Sequence, residues 1–228
     1  MKIVFLLAVS TFATAARADP PTTAYRTVNM DGFEVLISPD VAADPQLDRA
    51  LDQLHYQLID IEALVTPAQM TFFRTVPFWI ENNSAPAAAT LHRSKEWLSE
   101  HGKNPDKEGA IEISNIEHFT AWSTTDQPML VLHELAHAYS LRVLRPDYRP
   151  IADAYQHALD THLYESIGYV HGGERRAYAL TDKEEYFSEL TEAYFGRNDF
   201  YPFRYKDLRW YDPVGFKLMQ TVWGERKL

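Results

Sequence analysis

His133-Glu134-Leu135-Ala136-His137 carries the H-E-x-x-H pattern. Residues four apart on a helix lie one above the other on the same face, so the imidazoles of His133 and His137 can bind a single ion. Glu134 is then set beside that ion as a general base that accepts a proton from water. The chemistry this arrangement suits is that of Zn2+, which has no redox role. With three protein ligands and one open position, it lowers the pKa of water to about 7 and polarises a carbonyl. A hydrolytic centre of this kind needs a third protein ligand from elsewhere in the chain.

The surroundings of the motif favour a metal. Met129, Leu130, Val131, Leu132, Leu135, Ala136 and Ala138 make the segment apolar nearly all round, which predicts a buried helix. Two histidines and a glutamate left unpaired there would each cost about 1–3 kcal/mol, a cost that coordination removes. A later helix offers the missing carboxylate. Thr181-Asp182-Lys183-Glu184 has the form of a capping box, and Gly196 is a natural stop. Between them Tyr186, Phe187, Leu190, Ala193 and Tyr194 form a core-facing stripe, bordered by an acidic row of Glu185, Glu189 and Glu192. Composition does not choose between Glu185 and Glu189 as the ligand.

These elements together resemble a known family. His133-Glu134-Leu135-Ala136-His137-Ala138, then Glu185-Tyr186-Phe187-Ser188-Glu189 beginning 48 residues after His137, with Tyr178 seven residues before Glu185, is similar to the catalytic domain of anthrax lethal factor and the related Pro-Pro endopeptidases, which are gluzincins. The resemblance covers residues 110–195. It implies Glu185 as third zinc ligand, Tyr178 as the phenol that hydrogen-bonds the developing oxyanion, and Glu189 as a carboxylate orienting a ligand histidine. It also implies a zincin-like metallopeptidase domain acting on peptides or proteins. The proline preference of some relatives does not carry over, because no residue here matches their pockets.

The elements that must hold these groups form an α+β pattern, with a small N-terminal sheet and helix followed by a helical C-terminal half. Gly32 to Ser38 alternates as a half-buried strand, and Val76, Phe78 and Ile80 as another, which Pro77 places at an edge or at its start. Asp44 before Pro45 predicts the start of a helix carrying Leu47, Leu51, Leu54, Leu58, Ile61 and Val65, stopped by Pro67. Asp126 or Gln127 is expected to cap the metal helix, entered at Pro128 and running to about Arg145. Further helices are expected from Ile151 to Leu163 and from Pro213 to Trp223. Ala110 to Ser114 is a short strand before the metal helix. Similar enzymes present an edge strand there, which makes Ile111 and Ile113 candidate peptide-binding residues, the alternative being an ordinary sheet strand.

Export is the reading of the N-terminus. Residues 1–18 combine Lys2, an apolar run and Ala16-Arg17-Ala18, the features of a signal peptide, leaving one domain over 19–228. The chain would be secreted or periplasmic, with no stable membrane insertion after the signal is removed. It contains no cysteine, so neither disulfides nor a lipidated cysteine contribute. Loss of Lys2 and Arg17 takes the formal charge from −10 to −12, which disfavours nucleic acid as a partner.

Two other readings compete. One is a non-catalytic zinc-binding interaction module, against which Glu134 argues, since a closed structural site does not need a carboxylate beside an open position. The other is a zinc hydrolase of a non-peptide amide bond. His157, His162 and His171 follow the motif and are alternative ligands. The aromatic run from Phe200 to Tyr205 either lines a pocket or packs under the last helix.

Overall fold

The alternation of Phe33, Val35 and Ile37 forms a strand that pairs with the one before it. β1 (Arg26–Met30) and β2 (Phe33–Ile37) are an antiparallel hairpin. It turns through Asp31 and Gly32 at φ 53° and 89°, backbone that an Asp-Gly pair tolerates. The computed structural model describes residues 18–83 and 88–226. The expected signal segment therefore lies outside the described residues, apart from Ala18.

After β2 the chain forms α1 (Leu47–Leu64), starting later than Asp44-Pro45 suggested. The Asp44 carboxylate instead accepts from the Gln46 N–H in the preceding turn. Pro67 does more than end α1. It opens α2 (Pro67–Phe73), where Thr66 and Gln69 form a reciprocal capping box. β3 (Phe78–Ile80) follows, with Pro77 just ahead of it, its carbonyl accepting the Ile111 N–H at 3.0 Å. Next come β4 (Thr90–Leu91), α3 (Lys95–Glu100), β5 (Ile111–Ile113) and α4 (Ile116–Thr125), the last capped by Asn115.

The sheet order is β1-β2-β3-β5-β4, with β2, β3 and β5 parallel and both outer strands antiparallel to their neighbours. This corrects one expectation. β5 is an inner strand with Ile111 and Ile113 at 0% and 1% exposure, so neither can meet a peptide. The edge belongs to β4, two residues long and too short to have announced itself in the sequence.

The second half is helical, giving the α+β architecture with a small mixed sheet. α5 (Leu130–Tyr139) carries the H-E-x-x-H residues and passes into one π-helical stretch at Ser140–Leu144 before Arg145 turns the chain at φ 70°. Neither Asp126 nor Gln127 caps α5 with its side chain. Asp126 closes α4, and the Val131 N–H is satisfied by Gln57 Oε1 from α1 at 3.1 Å. α6 (Arg149–Asp160), the short ribbon β6 (Ile167–Gly168) and β7 (Glu174–Arg175), and a single turn at Tyr178–Leu180 lead to α7 (Lys183–Phe195). The chain continues through α8 (Tyr205–Tyr211) and α9 (Pro213–Trp223).

One apolar cluster reaches from Phe33 to Trp223, so the sheet and the helices share a core. α7 is its axis, buried from Tyr186 to Phe195. It is tied to α5 by Ser188 Oγ, which donates to the His133 carbonyl at 3.1 Å. At the end of α7 the Met129 side chain packs against Gly196, and a Cβ there would have to push it aside. The buried Asp212 caps α9 through the Gly215 N–H at 2.7 Å and accepts from Tyr164 and Tyr186 at 2.9 and 2.6 Å. These ties hold the two helices that carry the chemistry in fixed register.

Candidate metal centre

The buried face of α5 presents His133 and His137 with their Nε2 atoms 3.1 Å apart. Glu185 meets them from the first turn of α7, its Oε2 lying 3.0 Å from His133 Nε2 and 3.2 Å from His137 Nε2. That turn is fixed by Asp182, whose carboxylate accepts from the N–H groups of Glu184 and Glu185 at 2.9 Å. The cap is thus Asp182 rather than Thr181. Three donors on a tetrahedral ion with bond lengths of about 2.0–2.1 Å would stand roughly 3.3 Å apart. The observed 3.0–3.2 Å is close to that spacing, so the group fits a cation with nitrogen and oxygen ligands.

The ring of His133 is oriented by Glu192, not by Glu189. Glu192 Oε1 is 2.7 Å from His133 Nδ1, whereas Glu189 Oε1 stands at 3.9 Å. Helical geometry explains the correction. A step of seven residues from Glu185 returns to within about 20° of its direction, and a step of four overshoots by about 40°. Gln127 completes the anchor by donating Nε2 to Glu192 Oε1 at 2.7 Å.

His137 Nδ1 faces the Arg93 guanidinium at 3.0 Å. Arginine only donates, so this contact places the His137 proton on Nε2, where it points at Glu185. Ligation of a metal through Nε2 needs the proton on Nδ1 instead, facing the guanidinium, so Arg93 would have to turn aside.

Charge is shared tightly across the group. Burial works against a charged His133, but its hydrogen bonds to Glu185 and Glu192 outweigh burial and raise its pKa well above the ordinary imidazole value. Burial likewise opposes ionisation of Glu185, and the hydrogen bonds of both imidazoles overcome it, holding the carboxyl well below the usual range. Tyr178, half exposed, donates its O–H to Glu185 Oε1 at 3.2 Å. Partial burial and then the Glu185 charge push its phenol upward, so it stays protonated.

Glu134, 7% exposed, accepts the Leu91 N–H through Oε2 at 2.7 Å. The edge strand β4 thus holds the carboxylate proposed from the sequence as general base. All six of His133, Glu134, His137, Tyr178, Glu185 and Glu189 border one cavity of about 620 Å³, which Ala89, Thr90 and Leu91 line from the other side.

Sequence reasoning did not find Leu91, Arg93, Gln127 or Asp199, and it gave Glu192 no role. Glu192 stood in the acidic row and was within reach, whereas the others come from loops and a two-residue strand with no periodicity. The aromatic run divides between both expectations. Phe200 lines the cavity, while Tyr205 packs against Phe216 of the last helix. His157, His162 and His171 are exposed and outside the donor group, and the latter two pair with Glu165 and Asp126. Compared with family models, with curated proteins and with solved structures, the chain matches none.

Proposed function

We propose that this chain is an exported, zinc-dependent endopeptidase of gluzincin type, with a zincin-like domain, His133, His137 and Glu185 as ligands and Glu134 as general base. The observation that carries the reading is the convergence of three ligand atoms from α5 and α7 at 3.0–3.2 Å, on the wall of a cavity that also contains Glu134. Zinc bound there would supply Lewis acidity toward a carbonyl and acidify water.

The protein side chains supply the rest. The Leu91 N–H holds Glu134 Oε2 and thereby fixes the carboxylate plane, so that Glu134 can take the proton of the attacking water and pass it to the leaving amine. Tyr178, kept as a phenol, donates a hydrogen bond to the oxygen that gains charge. The substrate would be an extended peptide lying along β4, one of the two edge strands of the sheet among the described residues and the one that borders the cavity. The resemblance to the lethal factor and Pro-Pro endopeptidase families supports the same roles for Glu185 and Tyr178.

The deciding experiment is mass-spectrometric profiling of a broad peptide library with the zinc-loaded protein, using Glu134→Gln as control. Cleavage absent from the control is the expected result. Zinc retained with no peptide cut would leave the interaction module or the non-peptide hydrolase in its place.

A further inference from the structure

One end of the cavity holds carboxylates that the reaction does not use. Asp199 borders the cavity at 7% exposure, and its Oδ1 has no hydrogen-bond partner. Glu189 borders it at 1% exposure with Oε2 also unpartnered, and Glu192 lies behind them with Oε2 in the same condition. Among the described residues, no lysine or arginine forms an ion pair with any of the three. Of the positive groups nearby, His133 is already shared between Glu185 and Glu192, and Arg175 stacks on the Tyr169 ring rather than pairing with one of these acids. Buried carboxylates without a cation are costly, and burial together with the Glu192 charge accordingly raises the Asp199 pKa to about 7.

The backbone around Asp199 is held in place. Its carbonyl accepts the Val170 N–H at 2.8 Å, its own N–H donates to Asn198 Oδ1 at 3.0 Å, and Phe200 bridges to Tyr169. The walls beside it are apolar and aromatic. Tyr169 and Phe200 have ring centroids 5.0 Å apart, and Leu130 completes the lining one helical turn before His133. Arg175 stacks on Tyr169 with its guanidinium carbon 3.9 Å from the ring centre, so that ring accepts a cation on its face.

We propose that Asp199 and Glu189, with the walls of Tyr169, Phe200 and Leu130, form a specificity subsite for a lysine or arginine side chain of the substrate, adjacent to the scissile bond. The methylene stem packs on the rings while the charged head meets the carboxylates. Leu130 is one turn from His133, about 5 Å along α5, which is within reach of a side chain next to the reacting carbonyl. A second metal fits less well. The donor group at this end is His133, Glu189 and Glu192, and His133 cannot serve it through Nδ1 while keeping its contact with Glu192.

The assignment to substrate rests on the peptidase reading, so the test separates the two. n-Butylguanidinium and its uncharged isostere n-butylurea are titrated into zinc-loaded protein and their binding is measured by calorimetry. The charged probe is expected to bind about tenfold more tightly, and Asp199→Asn to bring the two within about threefold of each other. Equal affinity of both probes for the unsubstituted protein overturns the proposal without reference to any variant's folding. In parallel, the peptide library is expected to show a preference of about tenfold or more for Lys or Arg at one position beside the cut, and this preference should narrow in Asp199→Asn. Probe discrimination with no peptide cleaved upholds the cation pocket and removes the peptidase reading. Cleavage with no basic preference overturns the subsite and leaves the peptidase standing.

Discussion

Glu192 Oε1 lies 2.7 Å from His133 Nδ1, while Glu189, one turn nearer the N-terminus of α7, stands 3.9 Å from the same atom. A carboxylate on the far nitrogen of a ligand histidine fixes the ring and raises its basicity. Glu192→Gln is therefore expected to weaken zinc binding about 10–100-fold, measured by competition with a chromogenic chelator. Glu189→Gln is expected to cost far less. The opposite order of effects would return the orienting role to Glu189.

In the proposed mechanism Glu134 and Tyr178 act on the reaction rather than on ligation, so their variants should keep zinc. Glu134→Gln is expected to lower kcat about 10²–10⁴-fold, the usual worth of a positioned general base. Tyr178→Phe removes one hydrogen bond to developing charge and is expected to cost roughly 10²-fold in kcat with little change in KM. Full turnover by the glutamine variant would remove Glu134 from the mechanism.

Zinc and protons compete for His133. Its raised pKa means the imidazole keeps its second proton to higher pH than a free histidine does, so zinc must displace that proton near neutrality. Glu185 has a depressed pKa and is already ionised, so it releases none. Affinity should therefore climb by about tenfold per pH unit from the ordinary histidine value of about 6.5 up to the raised pKa, then level off. Calorimetry in buffers of different ionisation enthalpy should register at least about one proton released per zinc at pH 7. An affinity that is flat above pH 6.5 would contradict the charged state of His133.

How much of this was legible depended on periodicity. α5, α7 and α9 announce themselves through apolar spacing and punctuation, and α9 runs from Pro213 to Trp223 as the sequence indicates. The ligand group followed, because a four-residue step on one helix and an acidic border on another are visible in one dimension. β4 was not legible, being two residues long, and so the edge of the sheet was assigned to β5. α2 and α3 are only seven and six residues long, and the helix α4 was read through altogether. Arg93 and Asp199 reach the site by tertiary placement alone, from segments whose composition carries no period. The smaller angular offset of Glu192 from Glu185 can be read on one helix, whereas the distance to His133 Nδ1 that decides between Glu192 and Glu189 depends on how α7 packs on α5.

The buried cluster around Lys107 provides a stability test away from the cavity. Lys107 is fully buried, and its ammonium lies 2.6 Å from Asp19 Oδ2, 2.9 Å from Glu81 Oε1 and 3.1 Å from Glu112 Oε1. Tyr25 donates to Glu81 at 2.5 Å, and His92 and Lys103 also contact Glu112. Burial alone would lower the Lys107 pKa, but Glu112 and Glu81 more than reverse it. A raised folded-state pKa contributes stability that is fully present below the ordinary lysine value and is lost as pH rises through the folded one. Glu112 works in the other direction. Burial opposes its charge, yet its hydrogen bond with His92 and the two lysines depress its pKa, so its contribution is lost as pH falls below the ordinary carboxylate range. Lys107→Met keeps the stem but strands Asp19 and Glu81 without their cation, while Glu112 keeps Lys103, at an expected cost of about 3–5 kcal/mol at pH 7, read from urea unfolding by circular dichroism. The deficit should shrink toward pH 4, where protonation relieves the uncompensated charge. An unchanged unfolding midpoint at pH 7 would mean that water, rather than the ammonium, balances these acids.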